Sequence, residues 1–323
     1  MKSLLLTSAL LSLLHTSHSL PIPEVSDALQ NILENTHKST LYAYPTDFTR
    51  EIIPKPLHSH NDYWRDVPFY SALAYGAVSA EADVWLINGT LFIGHEESAL
   101  TAERTFSSLY INPILGTLRR QNPTTAFVHE ETRNGVFDAA AGQTLYLFID
   151  FKTRDGGEFE AAEEALQPLL DATYLTVYNG SALVRGPVTV IGTGYTALSA
   201  VVAQEPRYIF YDAPLANLSK PGYENITSAV SQIASTSFTS NFGRVMRQRA
   251  PDSEGPLNST QLELLRGHVS TAHERGILTR YWATPSYPIG TRNAVWRTLI
   301  DEGVDLLNVD DLAGAAGFWE GSG

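Results

Sequence analysis

The 323-residue chain contains no cysteine. No disulfide staples its fold, and thiol catalysis and thiolate zinc sites are excluded with it. A chain of this length can bury a full core without cross-links. Basic side chains are also scarce: 22 Lys and Arg stand against 35 Asp and Glu, a formal charge of −13. That balance argues against nucleic acid as a partner, because a phosphate backbone attracts Lys and Arg. It argues equally against loose adhesion to anionic lipid. Long apolar runs are missing after the N-terminus, so no later segment reads as a membrane span. The metalloprotease pattern H-E-x-x-H is absent too; "VHEETR", with His129 to Arg133, reads as a surface loop.

What is present describes a globular protein, 43 % hydrophobic and 18 % charged. Lys2, the apolar run Leu4 to Leu14, and the small residues Ser17 and Ser19 have the order of a signal peptide over 1–19. Five Asn-x-Ser/Thr sequons, at Asn88, Asn179, Asn217, Asn225 and Asn258, join it in favouring a secretory route and a secreted glycoprotein. Residues 20–54 are polar and Pro-punctuated, a leader with one short helix expected around Val25 to Asn35.

From Lys55 a strand–helix rhythm begins and fills a single domain over 55–318. Strands are expected at Pro56–His60, Val78–Leu86, Tyr146–Lys152, Val188–Gly192, Tyr208–Asp212, Thr236–Asn241, Ile277–Trp282 and Leu306–Asp310. Helices are expected at Val67–Tyr75, Glu158–Asp171, Tyr195–Gln204, Gly222–Ala234, Thr260–Arg275 and Arg292–Glu302. A longer excursion, 87–143, holds a hairpin ("INGTLFIGH") and a helix or two. Eight strands in this rhythm suggest a (β/α)8 TIM barrel, with a doubly wound open sheet as the alternative. A barrel would carry its chemistry at the C-terminal ends of its strands.

The polar residues fall there. His58 and His60 end the first strand, Glu81 and Asp83 lie late in the second, and Asp150 and Lys152 end the third. Each pair is two apart and so shares a face. Asn308 and Asp310 end the last strand. Three clustered carboxylates repel one another unless paired, and a hard divalent cation, Mg²⁺ or Ca²⁺, is the simplest remedy. The other reading is a structural network in which Lys152 and an arginine neutralise the acids. His95, just after the hairpin, pairs with His60 as an acid and a base. Lys152 would hold a phosphate oxygen as a point charge. Trp64 and Trp85 read as core aromatics, and Trp282 as either core or a wall of the site.

These residues resemble the PLC-like phosphodiesterase superfamily. His60, "EAD" (Glu81, Asp83), "GH" (His95) and "DFK" (Asp150, Lys152) follow the order of the glycerophosphodiester phosphodiesterases. More closely, "HSHNDYWRDVPFYSAL", "EADVWL", "RYWATP" and "GVDLLNVDDLAG" look like the fungal altered-inheritance-of-mitochondria protein 6 family, across about residues 55 to 315. The resemblance implies a PLC-like barrel that cleaves a small-molecule or lipid phosphodiester with a divalent ion. It makes Glu81, Asp83 and Asp150 the metal ligands, His60 rather than His58 the base, and His95 the acid. Two departures stand out. Asn61 occupies the place where the glycerophosphodiesterases carry Arg, and Asp150 is one methylene shorter than their Glu. Asn61 and Trp282 are the expected substrate contacts.

Three rivals remain. Gly192, Gly194 and Ala197 in "VIGTGYTA", followed by Asp212, spell the local grammar of an NAD-binding turn. A glycoside hydrolase would suit a barrel with paired carboxylates, but would leave Lys152 and the histidines idle. A binding module on a silent barrel is the third.

Overall fold

The strands of this protein are buried on both faces, as parallel strands covered by helices must be. In the computed structural model, residues 46–320 are described apart from 131, 154–155 and 246–254, together with 29, 31, 34 and 44. The segment 1–19 lies outside the described residues. Of the helix expected around Val25 to Asn35 only 29, 31 and 34 are described, and these are helical. The chain divides into Met1–Tyr44 and Pro45–Gly323, and every strand belongs to the second unit.

The strands are β1 (Lys55–Ser59), β2 (Ala77–Ile87), β3 (Thr90–Ile93), β4 (Leu145–Phe151), β5 (Val177–Tyr178), β6 (Leu183–Val184), β7 (Val188–Gly194), β8 (Ile209–Tyr211), β9 (Ala213–Pro214), β10 (Ile233–Ser237), β11 (Leu278–Trp282) and β12 (Leu306–Val309). The main sheet runs β8-β7-β4-β2-β1-β12-β11-β10-β9, parallel along that path, with β3 antiparallel on β2. The two ends of that order, β8 and β9, are consecutive in the chain and separated by Asp212 alone. They are halves of one stave, bonded to β7 on one side and β10 on the other. The sheet therefore closes as an eight-staved (β/α)8 barrel, not an open sheet. The strands β5 and β6 form a separate hairpin.

Helices α1 (Tyr70–Ala74), α2 (Asn112–Gln121), α3 (Glu158–Asp171), α4 (Leu198–Ala203), α5 (Phe238–Phe242), α6 (Ser259–His273), α7 (Ile289–Asp301) and α8 (Leu312–Glu320) complete the chain order. Val78, Ala80, Ala82 and Val84 of β2 share one apolar cluster with Ile114 and Leu118 of α2 and Leu166 and Leu169 of α3. Their alternates, Glu81 and Asp83, are left for the other face of the sheet.

The structure differs from the pattern around the sixth stave. β10 ends at Ser237, where Thr236–Asn241 was expected to continue as a strand. The Ser237 side chain accepts from the Ser240 N–H at 3.2 Å and starts α5 instead. The expected helix Gly222–Ala234 is replaced by turns as far as Gln232, and Ile233 and Ala234 open β10. The carbonyls there are met by guanidinium groups rather than by a helical ladder: Arg275 donates to Tyr223 O and, at 2.8 Å, to Leu218 O, and Arg207 to Ala229 O at 2.6 Å. The first helix is cut to Tyr70–Ala74 by Pro68 and by Phe69 at φ 64°. In the excursion the hairpin forms as expected, turning on Asn88 and Gly89 at φ 49° and 79°.

Candidate active site

At the C-terminal ends of β2 and β4, Asp83 and Asp150 lie side by side in register. Ligand atoms of Glu81, Asp83 and Asp150 all fall within 4.8 Å of one another. Lys152 Nζ donates to Asp150 Oδ2 at 2.6 Å and lies 2.8 Å from Asp83 Oδ2. One lysine does not balance three acids. Burial, then the Glu81 charge, raises the Asp83 carboxyl above its ordinary range despite Lys152. Burial, then Asp83, pushes Asp150 up to about 6. Burial opposes the charge on Lys152, but Asp150 and Asp83 outweigh it and raise its pKa. Asp83 Oδ2 is crowded with partners, whereas its buried Oδ1 has no hydrogen-bond partner at all. Three hard oxygen donors and an orphaned carboxylate oxygen fit a divalent cation.

Glu81 behaves differently. Its Oε2 accepts the Asn61 N–H at 3.0 Å, and Arg280 Nη1 stands 3.9 Å from Oε1. Burial favours the neutral acid, but the charges of Arg280 and His60 beside it hold Glu81 below the ordinary carboxylate range. Arg280 is thus the arginine of a neutralising network around Glu81, while Asp83 and Asp150 remain in excess of Lys152.

The two N-terminal histidines separate cleanly. His58 is wholly buried, with Nδ1 on Ser79 Oγ at 2.7 Å and Nε2 on Arg280 Nη1 at 2.8 Å. A guanidinium only donates, so His58 Nε2 accepts and Nδ1 carries the proton. Burial and Arg280 lower its pKa to about 3. Both ring nitrogens are committed. His60 instead places Nδ1 2.7 Å from Asp310 Oδ1 and Nε2 3.8 Å from Glu81 Oε2. Burial would lower its pKa, but the Asp310 bond and the Glu81 and Asp310 charges raise it. Asp310 accepts a hydrogen bond from Nδ1–H and leaves Nε2 to exchange a proton.

His95 arrives on the β2–β3 hairpin, with Gly94 N donating to Asp83 O at 3.2 Å. Its Nδ1 lies 3.2 Å from Asp83 Oδ2 and 3.0 Å from the Tyr63 hydroxyl. Trp282 ends β11 with 43 % of its surface exposed, and Trp64, read as core, is 62 % exposed with its ring 5.4 Å from His95.

Three residues escaped the sequence reading. Tyr63 sits 2.5 Å from Asn61 Oδ1 and 2.7 Å from Asp83 Oδ2, its hydroxyl joining the acid cluster to His95. Arg280 is 3 % exposed at the barrel centre, donating to His58, to Asn308 Oδ1 at 3.0 Å and to Ser235 Oγ at 2.9 Å. Its signal was an inward-facing charge two residues before Trp282. Arg65 donates to the carbonyls of Asp310, of His60 at 3.1 Å and of Val309 at 3.3 Å, pinning β1 against β12. Asn61 takes φ 49° and ψ 45°, a left-handed conformation that asparagine tolerates. Position 61 therefore supplies a backbone donor to Glu81 and an acceptor for Tyr63.

The NAD-like glycines also have a local explanation. A side chain on Gly194, at φ +63°, would collide with the Asp150 carboxylate. Asp212 accepts from Thr193 Oγ1 at 2.9 Å and faces Arg280 Nη2 at 3.4 Å.

A family model described as the AIM6-like phosphodiesterase domain matches residues 46–212. The altered inheritance of mitochondria protein 6 homolog of Arthroderma benhamiae is 51% identical over 326 residues, spanning 99% of this chain and 100% of that relative. The altered inheritance of mitochondria protein 6 of Eremothecium gossypii is 38% identical over 269 residues, spanning 81% of this chain and 69% of its own. Among solved structures, the phosphatidylinositol-specific phospholipase C from Listeria monocytogenes overlaps 87% of this chain and 97% of its own, at 10% identity and a TM-score of 0.41. At that score the overlap adds nothing to the barrel closure described above.

Proposed function

Since the chain belongs to the AIM6-like phosphodiesterase family, we propose that it is a metal-dependent phosphoric diester hydrolase acting on a glycerol or lipid-derived phosphodiester. The observation that carries this reading is Asp83: one oxygen gathers Lys152, Tyr63 and His95, and the other is buried without a partner. Glu81, Asp83 and Asp150 would hold Mg²⁺ or Ca²⁺, which when bound neutralises charge on the phosphoryl oxygens. Lys152 has three protons and two carboxylate partners, so one donor remains for a phosphoryl oxygen. His60 Nε2 takes the proton of a hydroxyl on the substrate, or of water, as that oxygen bonds to phosphorus. Asp310 steadies the resulting imidazolium. His95, held through Nδ1 by Asp83 and Tyr63, gives a proton to the departing alcohol oxygen as the old P–O bond breaks. Attack by a neighbouring hydroxyl yields a cyclic phosphate first; attack by water yields the monoester directly. Asn61 and Trp282 would line the substrate's path.

The signal-like segment and the sequons support a secretory route for the protein, checked by loss of mass on glycosidase treatment of secreted material. The function is tested on a panel of glycerophosphodiesters and lysophospholipids with and without chelator, with product analysis for a cyclic phosphate. Activity should vanish in chelator and return with Mg²⁺ or Ca²⁺. His95→Ala is expected to lose about 10²–10⁴ in rate, the usual share of a general acid; wild-type turnover in that variant would sink the assignment. A barrel inert on the whole panel would favour the silent binding module.

A further inference from the structure

Phe151 and Thr153 flank Lys152 in sequence, and both line a cavity of about 200 Å³ at the start of α3. Two oxygens of this lining are buried and have no hydrogen-bond partner, Thr153 Oγ1 and Glu158 Oε1. Glu158 is only 6 % exposed. It is the first residue of α3, where the helix dipole favours a negative charge. A carboxylate accepts and never donates, so the partner it lacks is a donor. Phe159, whose ring packs 6.2 Å from that of buried Phe151, and Tyr195 give the lining its aromatic surface. No basic side chain occurs among the described lining residues, and Glu160 adds a second acid. A buried acceptor, a second acid and aromatic faces together select a cation with apolar substituents or N–H donors.

We propose that this cavity binds an organic ammonium group. Resting on the proposed phosphodiesterase reading, the group is the headgroup of a diester whose phosphate lies at Lys152; independent of that reading, it is a free amine. The full-length protein is titrated calorimetrically with choline and with ethanolamine, neither of which carries phosphate. Saturable binding is expected, weakened about tenfold or more in Glu158→Gln, as for a lost charge-assisted contact. Thr153→Val should weaken the binding of ethanolamine, which can donate to the hydroxyl, more than that of choline, which has no N–H. Circular dichroism verifies the fold of each variant, and Thr153→Val carries the test if Glu158→Gln does not fold. In a second arm, kcat/KM is compared for glycerophosphocholine and glycerophosphoglycerol. A fall of about tenfold in the preference for the choline diester in Glu158→Gln assigns the cavity to a headgroup. An unchanged preference, with amine binding lost, assigns it to a free amine. A wild type that binds neither amine, or a Glu158→Gln protein that binds both as tightly as wild type, overturns the proposal. Failure of every diester to turn over strikes the catalytic reading alone, because the amine titration does not depend on it.

Discussion

Asp150 at neutral pH holds a charge that its surroundings resist. Its folded-state pKa, raised to about 6, exceeds the unfolded value, so its contribution to stability is fully present below the unfolded pKa of about 3.9 and is lost as pH rises through 6. Two pKa units correspond to about 2–3 kcal/mol. In chelator at pH 8, Asp150→Asn should therefore melt at a higher temperature than wild type, and the gain should fade by pH 4. Added Mg²⁺ or Ca²⁺ should raise the wild-type melting temperature and leave the variant nearly unmoved; a wild type indifferent to both ions would speak against the metal. The acids were legible in the sequence because alternation alone puts Glu81 with Asp83, and Asp150 with Lys152, on one face. The bonds of His60 to Asp310 and of Arg280 to His58 were not, since they join residues 250 and 222 positions apart and exist only once the barrel closes. Tyr63 lay in plain view beside Asn61, but nothing in a linear pattern says that its hydroxyl reaches Asp83.

Among the elements, β11 has the widest reach. Through Arg280 it is tied to His58 on β1, to Ser235 on β10, to Asn308 on β12 and to Asp212 between β8 and β9. Arg280→Met would leave Glu81 and Asp212 without their buried cation and should cost about 3–5 kcal/mol in urea unfolding. Lysine at this position should not restore the loss, because a single ammonium cannot reproduce the planar fork. On the helix side, Leu166→Ala in α3 should cost about 2–5 kcal/mol, since Leu166 is wholly buried against the sheet. Most strands were readable from β-branched runs bounded by turn residues. The region 218–238 was not, because its backbone is satisfied by Arg207 and Arg275 from elsewhere in the chain, and an N-cap at Ser237 is invisible to periodicity.

For the whole molecule, the sequence pI near 5.1 sets the pH at which net repulsion between copies vanishes. Solubility should pass through a minimum near pH 5, measurable by light scattering, and the minimum should deepen at low ionic strength. Reductant should leave the melting temperature unchanged, because the chain has no cysteine. The proposed acid is tied to the barrel through one hairpin. Five of the proposed catalytic and metal-binding side chains stand on or just beyond staves β1, β2 and β4, whereas His95 follows the return strand β3, at the clamped end of a hairpin that turns at Asn88 and Gly89 and pairs Val84 with Ile93. Register is therefore its ruler. Because side chains alternate along a strand, a slip of β3 by one residue would move His95 off Asp83 while the closed sheet keeps its own pairing, so the proposed proton donor can be lost by changes that the barrel never feels.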